Sequence, residues 1–165
     1  MTALCCGCLS SPSFRSAQSF YGVGMPTIFT RIIDGEIPGT FIWRDDKCVG
    51  FMSINPMSFG HALVVPIREV DHWVDLEPDL AQHLFDVAYR ISKAQQAAFS
   101  SERIGLIIAG YEVPHTHIHV LPTNQMSDLS FSNAAASVDR DDLERAADAI
   151  HQQLVAQGDE TGITR

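Results

Sequence analysis

Three of the chain's seven histidines fall in the stretch VPHTHIHVLP, at positions 115, 117 and 119. Imidazole titrates near neutrality, so one side chain type can offer a lone pair, a proton or a metal ligand under the same conditions. In an extended strand, residues two apart point to one face, about 6.6 Å apart at a rise of about 3.3 Å per residue. The fillers between Pro114 and Pro122 favour a strand, which would gather His115, His117, His119 and Leu121 on one face. Thr116, Ile118 and Val120 would share the other face, which is apolar enough to bury. Three readings of the pattern are open. The histidines can decorate an exposed edge strand. Two of them, at i and i+2, can share a zinc ion. Alternatively, one imidazole can attack a phosphorus atom while a neighbour donates hydrogen bonds to the phosphoryl oxygens and the leaving group. The nucleophile would then be neutral and the donor charged.

The string HTHIHVL resembles the His-φ-His-φ-His-φ-φ signature of the histidine-triad (HIT) superfamily, where φ is hydrophobic and Thr116 is a slightly polar filler. TIFTRIIDGEIPGTFIWRDDKCVGFMSINPMSFGHALVVP (27–66) is similar to the amino-terminal half of the family's domain. The likeness runs over residues 26–123, is loose over 124–165 and absent over 1–24; across 26–135 the chain looks most like small actinobacterial members. The resemblance implies a substrate in which a nucleotide α-phosphate carries a leaving group, as in phosphoramidates and dinucleoside polyphosphates. It further implies two metal-independent steps through a nucleotidyl-histidine intermediate.

By motif position the nucleophile is His117. His119 contacts the phosphoryl group, and His115 packs below with its backbone carbonyl orienting the nucleophile's ring. The family's fourth histidine falls on His61 in FGHALVVP. The apolar positions matching the base pocket are Phe29, Ile32, Phe51 and Ile54, residues that periodicity alone would assign to a core. Ser53, Gly110 and Glu112 complete the expected nucleotide-binding set. A homodimer, a purine nucleotide as ligand and no cofactor or metal belong to the same expectation, and the cysteine usage adds a reducing, cytoplasmic setting.

Three departures bear on that reading. Many relatives hold a structural zinc with an early Cys-x-x-Cys and two later histidines; here Thr27-Ile28-Phe29-Thr30 stands in its place, leaving His72 and His115 without thiolate partners. Threonine hydroxyls are poor zinc ligands. The family's ribose-binding acid after Phe-x is replaced in Phe51-Met52-Ser53-Ile54 by a serine, which offers one short hydroxyl instead of a carboxylate. The family's Asn, Gly-rich turn and leaving-group helper before the motif are reduced to Ala109, Gly110, Tyr111 and Glu112. Two rival functions follow: a nucleotide-binding or regulatory protein with little turnover, and a nucleotidyltransferase of the galactose-1-phosphate uridylyltransferase kind. The second has Gln at the third histidine's place, and His119 disfavours it.

The elements that must carry these residues are legible. FIWRDDKCVGFM (41–52) reads as two strands around Asp45-Asp46-Lys47, and HALVVP (61–66) and IGLIIA (104–109) as buried strands. Leu80, Leu84, Val87, Ile91, Ala94 and Ala98 recur at helical spacing over 78–99. Leu143, Ala147, Ile150 and Leu154 do so over 139–157, where acids in the first turn suit the helix dipole and Gly158 is a stop. The expected fold is α+β: a mainly antiparallel five-stranded sheet with one long helix and one carboxy-terminal helix. The domain is expected over 25–135, with 136–165 as a helix and tail.

With 165 residues, 45% of them hydrophobic and 19% charged, the chain suits one ordinary folded domain. A net charge of −9 without a Lys/Arg cluster excludes nucleic-acid polymers as partners but not a small nucleotide. No apolar run reaches membrane-spanning length. Cys5, Cys6 and Cys8 cluster away from Cys48, which is no disulfide framework. Residues 1–24 read as a dispensable tail or an upstream start before Met25, lacking both a signal peptide's apolar centre and a transit peptide's arginines.

Overall fold

Apolar runs become strands where turn-forming residues interrupt them. Phe41–Arg44 (β1) and Cys48–Met52 (β2) fold back around Asp45, whose carboxylate accepts the backbone N–H groups of Lys47 and Cys48, each at 2.8 Å. That side-chain capture of its own downstream backbone is why Asp makes such turns. Ala62–Pro66 (β3), Arg103–Ile107 (β4) and Ile118–Thr123 (β5) complete an antiparallel sheet in the order β1-β2-β3-β5-β4. The computed structural model describes residues 25–159, so the reading of 1–24 and its three cysteines lies outside the described residues.

Three helices accompany the sheet: α1 (Ile28–Ile33), α2 (Pro78–Ala98) and α3 (Arg140–Ala156). Pro78 opens α2, where its missing N–H costs nothing and its fixed φ suits the first turn. Asp139 caps α3 by accepting the Asp141 N–H, and Gly158 just beyond the helix adopts φ +83°.

The apolar stripe of α2 (Leu84, Val87, Ala88, Ile91, Ala94) packs on one face of the sheet, against Ala62, Val64, Ile118 and Val120. Ala146, Ala147, Ile150 and Leu154 of α3 join the same core. A second cluster on the opposite face holds Val49, Phe51, Leu63 and Val65 with Phe29 and Ile33 of the short α1. Strand alternation makes this division, and the β3–β5 register pairs Leu63 with His119. The histidines therefore lie on the face away from α2.

Two sequence expectations need correction. β4 is not a buried strand: it pairs with β5 alone at the sheet's edge, and Leu106 is 47% exposed. β5 begins at Ile118, so His115 and His117 precede the regular ladder. Their segment is tied to loop backbone instead, with the Thr116 N–H donating to the Val70 carbonyl at 2.7 Å and the His115 N–H to the Val113 carbonyl at 2.8 Å. Among the described residues, no helix is long and apolar enough to cross a membrane.

Candidate active site

Four buried histidines meet on this face: His61 before β3, His115 and His117 before β5, and His119 within β5. Their hydrogen bonds fix where each proton sits. The Met57 backbone N–H donates to His61 Nδ1 at 3.2 Å, so a neutral His61 carries its proton on Nε2. Nε2 lies 3.0 Å from His119 Nδ1, which must accept. His119 is thereby left with its proton on Nε2. His117 Nδ1 lies 2.7 Å from the His115 carbonyl, which can only accept, so Nδ1 is the protonated nitrogen and Nε2 holds a free lone pair. The rings of His117 and His119 are 4.9 Å apart. An unprotonated ring nitrogen on His117 and a protonated one on His119 thus belong to neighbouring rings.

Burial disfavours the charged form of all four rings. It brings His119 down to about 3, helped by repulsion from His61 and His117, and His61 down to about 4, helped by His117. His117 is lowered by burial, partly offset by its bond to the His115 carbonyl and by the charge of Glu112. His119 therefore donates through its tautomer as a neutral ring, a correction to the charged donor expected from the sequence.

Below His117, His115 rests on residues that sequence reasoning had not placed in the site. His115 Nε2–H donates to the Pro66 carbonyl at 2.9 Å, and its Nδ1 meets Thr27 Oγ1 at 2.9 Å. Thr27 caps α1 by accepting the Thr30 N–H at 3.2 Å, and its own N–H donates to Glu69 Oε2 at 3.1 Å. The Thr30 hydroxyl donates to the same carboxylate oxygen. Thr27 and Thr30 stand where relatives' thiolates were expected, and they form a hydrogen-bonded seat for His115. Burial lowers the pKa of His115, with the Pro66 carbonyl and Glu69 opposing it. His72 is not part of this seat: its Nδ1 accepts the Val74 N–H in a short 3-10 turn.

The expected nucleotide pocket is brought together only in part. Phe29, Phe51 and Ile32 share one apolar cluster with Ile33, and Phe29 meets His117 edge-on at 5.0 Å between ring centres. Ile54 stays out of that cluster and is 64% exposed. Ser53 lies half-buried beside the site, its N–H donating to the His61 carbonyl at 3.0 Å. Gly110 turns the loop before the motif at φ +78°, while Tyr111 is 96% exposed. Glu112 is exposed, and its charge reaches His117.

At the far end of the histidine row, Phe131 sets its ring edge-on to His119 at 5.1 Å between centres. Its segment is pinned by Asn55, whose Nδ2 donates to the carbonyls of Ala135 and Ala136 at 3.1 and 2.9 Å. Nothing in the local sequence marks Phe131 as a site residue, because the path of an irregular segment is set by such distant bonds.

A family model for the HIT domain matches residues 34–126. A HIT-like protein of Mycobacterium tuberculosis is 30% identical over 140 residues, spanning 82% of this chain and 96% of that protein. An adenylylsulfatase of Arabidopsis thaliana is 30% identical over 103 residues, 59% of this chain and 52% of that protein. The crystal structure of a zinc-bound histidine triad family protein from Mycobacterium smegmatis matches with a TM-score of 0.70 at 25% identity, covering 82% of this chain and 97% of that one. The family model over more than half of the chain and the relative matched over nearly its whole length agree with the fold: this chain belongs to the HIT domain family.

Proposed function

We propose that the chain is a nucleotidyl hydrolase of the phosphoramidase kind, releasing AMP from a leaving group on its α-phosphate. The observation that carries this reading is the pair of complementary tautomers, an unprotonated Nε2 on His117 beside a protonated Nε2 on His119. In the first step the His117 lone pair forms a bond to phosphorus, and the bond from phosphorus to the leaving group breaks. The leaving group takes its proton from solvent water. Water then adds to phosphorus, the P–N bond to His117 breaks, and AMP is released with a proton to solvent. His119 Nε2–H stabilises the phosphoryl oxygens in both steps. The adenine sits against Phe29, Ile32 and Phe51, with Ser53 toward the ribose. A relative that is an adenylylsulfatase supports the reaction class.

The test is incubation with an adenosine phosphoramidate and with a dinucleoside polyphosphate, followed by detection of AMP. Quenching in alkali, where phosphoramidates survive, should leave one nucleotidyl group on the peptide containing 115–119. His117→Ala should lose about 10³-fold or more in turnover, as loss of a nucleophile does elsewhere. His119→Ala should lose about 10²-fold. Full activity in His117→Ala would overturn the mechanism.

A second reading, nucleotide binding with little turnover, draws on the loop before the motif, where Tyr111 points to solvent and Gly110 offers no side chain. It predicts tight AMP binding and no AMP formation from either substrate. Either reading is compatible with a homodimer, for which the one-sided edge β4 and the exposed Phe85 and Tyr89 of α2 leave uncovered surface. Light scattering at micromolar concentration tests it.

A further inference from the structure

Away from the histidine row, on the α2 side of the sheet, three side chains of metal-binding type converge from separate elements. They are Asp45 in the β1–β2 turn, Cys48 at the start of β2 and His83 on α2. One ligand atom from each lies within 4.8 Å of the other two. His83 Nε2 is 2.8 Å from Asp45 Oδ2, and Cys48 Sγ is 3.8 Å from the same oxygen. We propose that Asp45, Cys48 and His83 form a site for a zinc-class divalent cation that staples α2 to the β1–β2 turn.

Three features carry this. The first is geometry. Zinc bonds of about 2.0–2.3 Å in a tetrahedron put ligand atoms about 3.3–3.6 Å apart. The Asp45–His83 edge must open by about half an ångström and the Asp45–Cys48 edge must close slightly to meet that spacing. Side-chain rotations of His83 supply most of the adjustment, because its ring is partly exposed.

The second feature is support behind the ligands. Trp43 Nε1–H donates to Asp45 Oδ2 at 2.7 Å, and the backbone N–H groups of Lys47 and Cys48 hold Oδ1. Outer hydrogen bonds of this kind fix a ligating carboxylate in place. The third is access. A surface cavity of about 440 Å³, lined by Trp43, Asp45, Asp46, His83, Asp86 and Arg90, opens onto Asp45 and His83. It leaves room for a water as fourth ligand.

Binding requires the Cys48 thiol to give up its proton to solvent, and the His83 proton to move from Nε2 to Nδ1 so that Nε2 can ligate. The thiolate and imidazole donors select borderline-soft ions over magnesium or calcium. The site is independent of the catalytic reading, since it lies across the sheet from His117.

The test uses the full chain with Cys5, Cys6 and Cys8 replaced by Ser, so that Cys48 is the remaining thiol. After treatment with a chelator, the protein is titrated with Co²⁺. The expected result is one equivalent bound with an intense near-ultraviolet thiolate-to-cobalt band and tetrahedral visible bands, displaced by Zn²⁺. Cys48→Ser should abolish the thiolate band. His83→Gln, a change on the partly exposed face of α2, should weaken binding at least tenfold and remove the rise in melting temperature that Zn²⁺ gives the parent. Cobalt binding without a thiolate band would place the ion at the histidine row and overturn the proposal. So would a band that survives in either variant, or no binding at all.

Discussion

His61 Nε2 and His119 Nδ1 lie 3.0 Å apart and form a single proton-donating unit, because the Met57 N–H on the other side of His61 dictates which nitrogen of each ring holds hydrogen. His61→Leu removes the bond that keeps the His119 proton on Nε2. A hydrogen bond contributes roughly 1 kcal/mol, so turnover should fall about five- to tenfold while AMP affinity changes little. His61→Gln can still donate to His119 Nδ1 and should recover part of the loss. Equal losses in the two variants, measured as kcat with an adenosine phosphoramidate, would show that His61 acts by filling space.

The depressed pKa values also predict how stability depends on pH. His61 and His119 are brought to about 4 and about 3 in the folded chain, against an ordinary value of about 6.5 when unfolded. Between those limits the unfolded chain binds protons that the folded chain refuses, so folding is fully supported above about pH 6.5 and loses support as the pH falls toward 3–4. The melting temperature should drop between pH 7.5 and 5, and drop less in a His61→Gln/His119→Gln double variant. A double variant with the same acid sensitivity as the parent would place the cause elsewhere.

Much of the fold was legible because period-2 and period-3.6 patterns are local. The α2 and α3 stripes, the Asp45 turn and the Gly158 stop all lie where spacing puts them. β4 was misread as buried because an apolar run does not say which strand ends a sheet. At the site, the histidine row was visible in the alternation of a single motif. The seat under His115 was not, since Thr27, Thr30, Pro66 and Glu69 are separated from it by up to 88 positions in the chain. The shared proton state of His61 and His119 was equally hidden, because it depends on a backbone N–H four residues before His61.

Thr27 is expected to support catalysis without touching substrate. Its hydroxyl meets His115 Nδ1 while capping α1, so Thr27→Val removes both bonds and should cost about 1 kcal/mol in stability. Turnover should fall several-fold with KM unchanged, because the His115 carbonyl orients the ring of His117, the proposed nucleophile. Thr27→Ser keeps the hydroxyl and should restore both. A KM effect of the same size as the kcat effect would count against positioning through His115.

Under the proposed function, Ser53 faces the ribose with a single hydroxyl. A carboxylate accepts from both ribose hydroxyls, and hydrogen bonds to a charged group contribute roughly 1.5–3 kcal/mol against about 1 for neutral ones. Ser53→Asp should therefore tighten AMP in a calorimetric titration. An unchanged or weaker dissociation constant would mean that the ribose is held differently.

Gln95 ties the two histidine-bearing segments to the back of the sheet. It is fully buried on α2, and its Nε2 donates to the Gly60 carbonyl at 2.8 Å and to the Val120 carbonyl at 3.0 Å. These carbonyls belong to the residues adjoining His61 and His119. Gly60 has no slack of its own: its φ is +89°, and a Cβ there would lie 2.5 Å from the Phe99 ring. Gln95→Met keeps nearly the same volume but removes the donation to both carbonyls. An unpaired buried carbonyl costs roughly 1–3 kcal/mol, partly offset here because the glutamine Oε1, itself without a protein partner, is also removed. The net expectation is a loss of about 2 kcal/mol, read as a lower urea midpoint with an unchanged slope. Because the loosened carbonyls flank His61 and His119, kcat should fall while KM, which the proposed pocket at Phe29 would set, stays constant. A variant as stable and as active as the parent would show that the sheet alone holds the two histidines together.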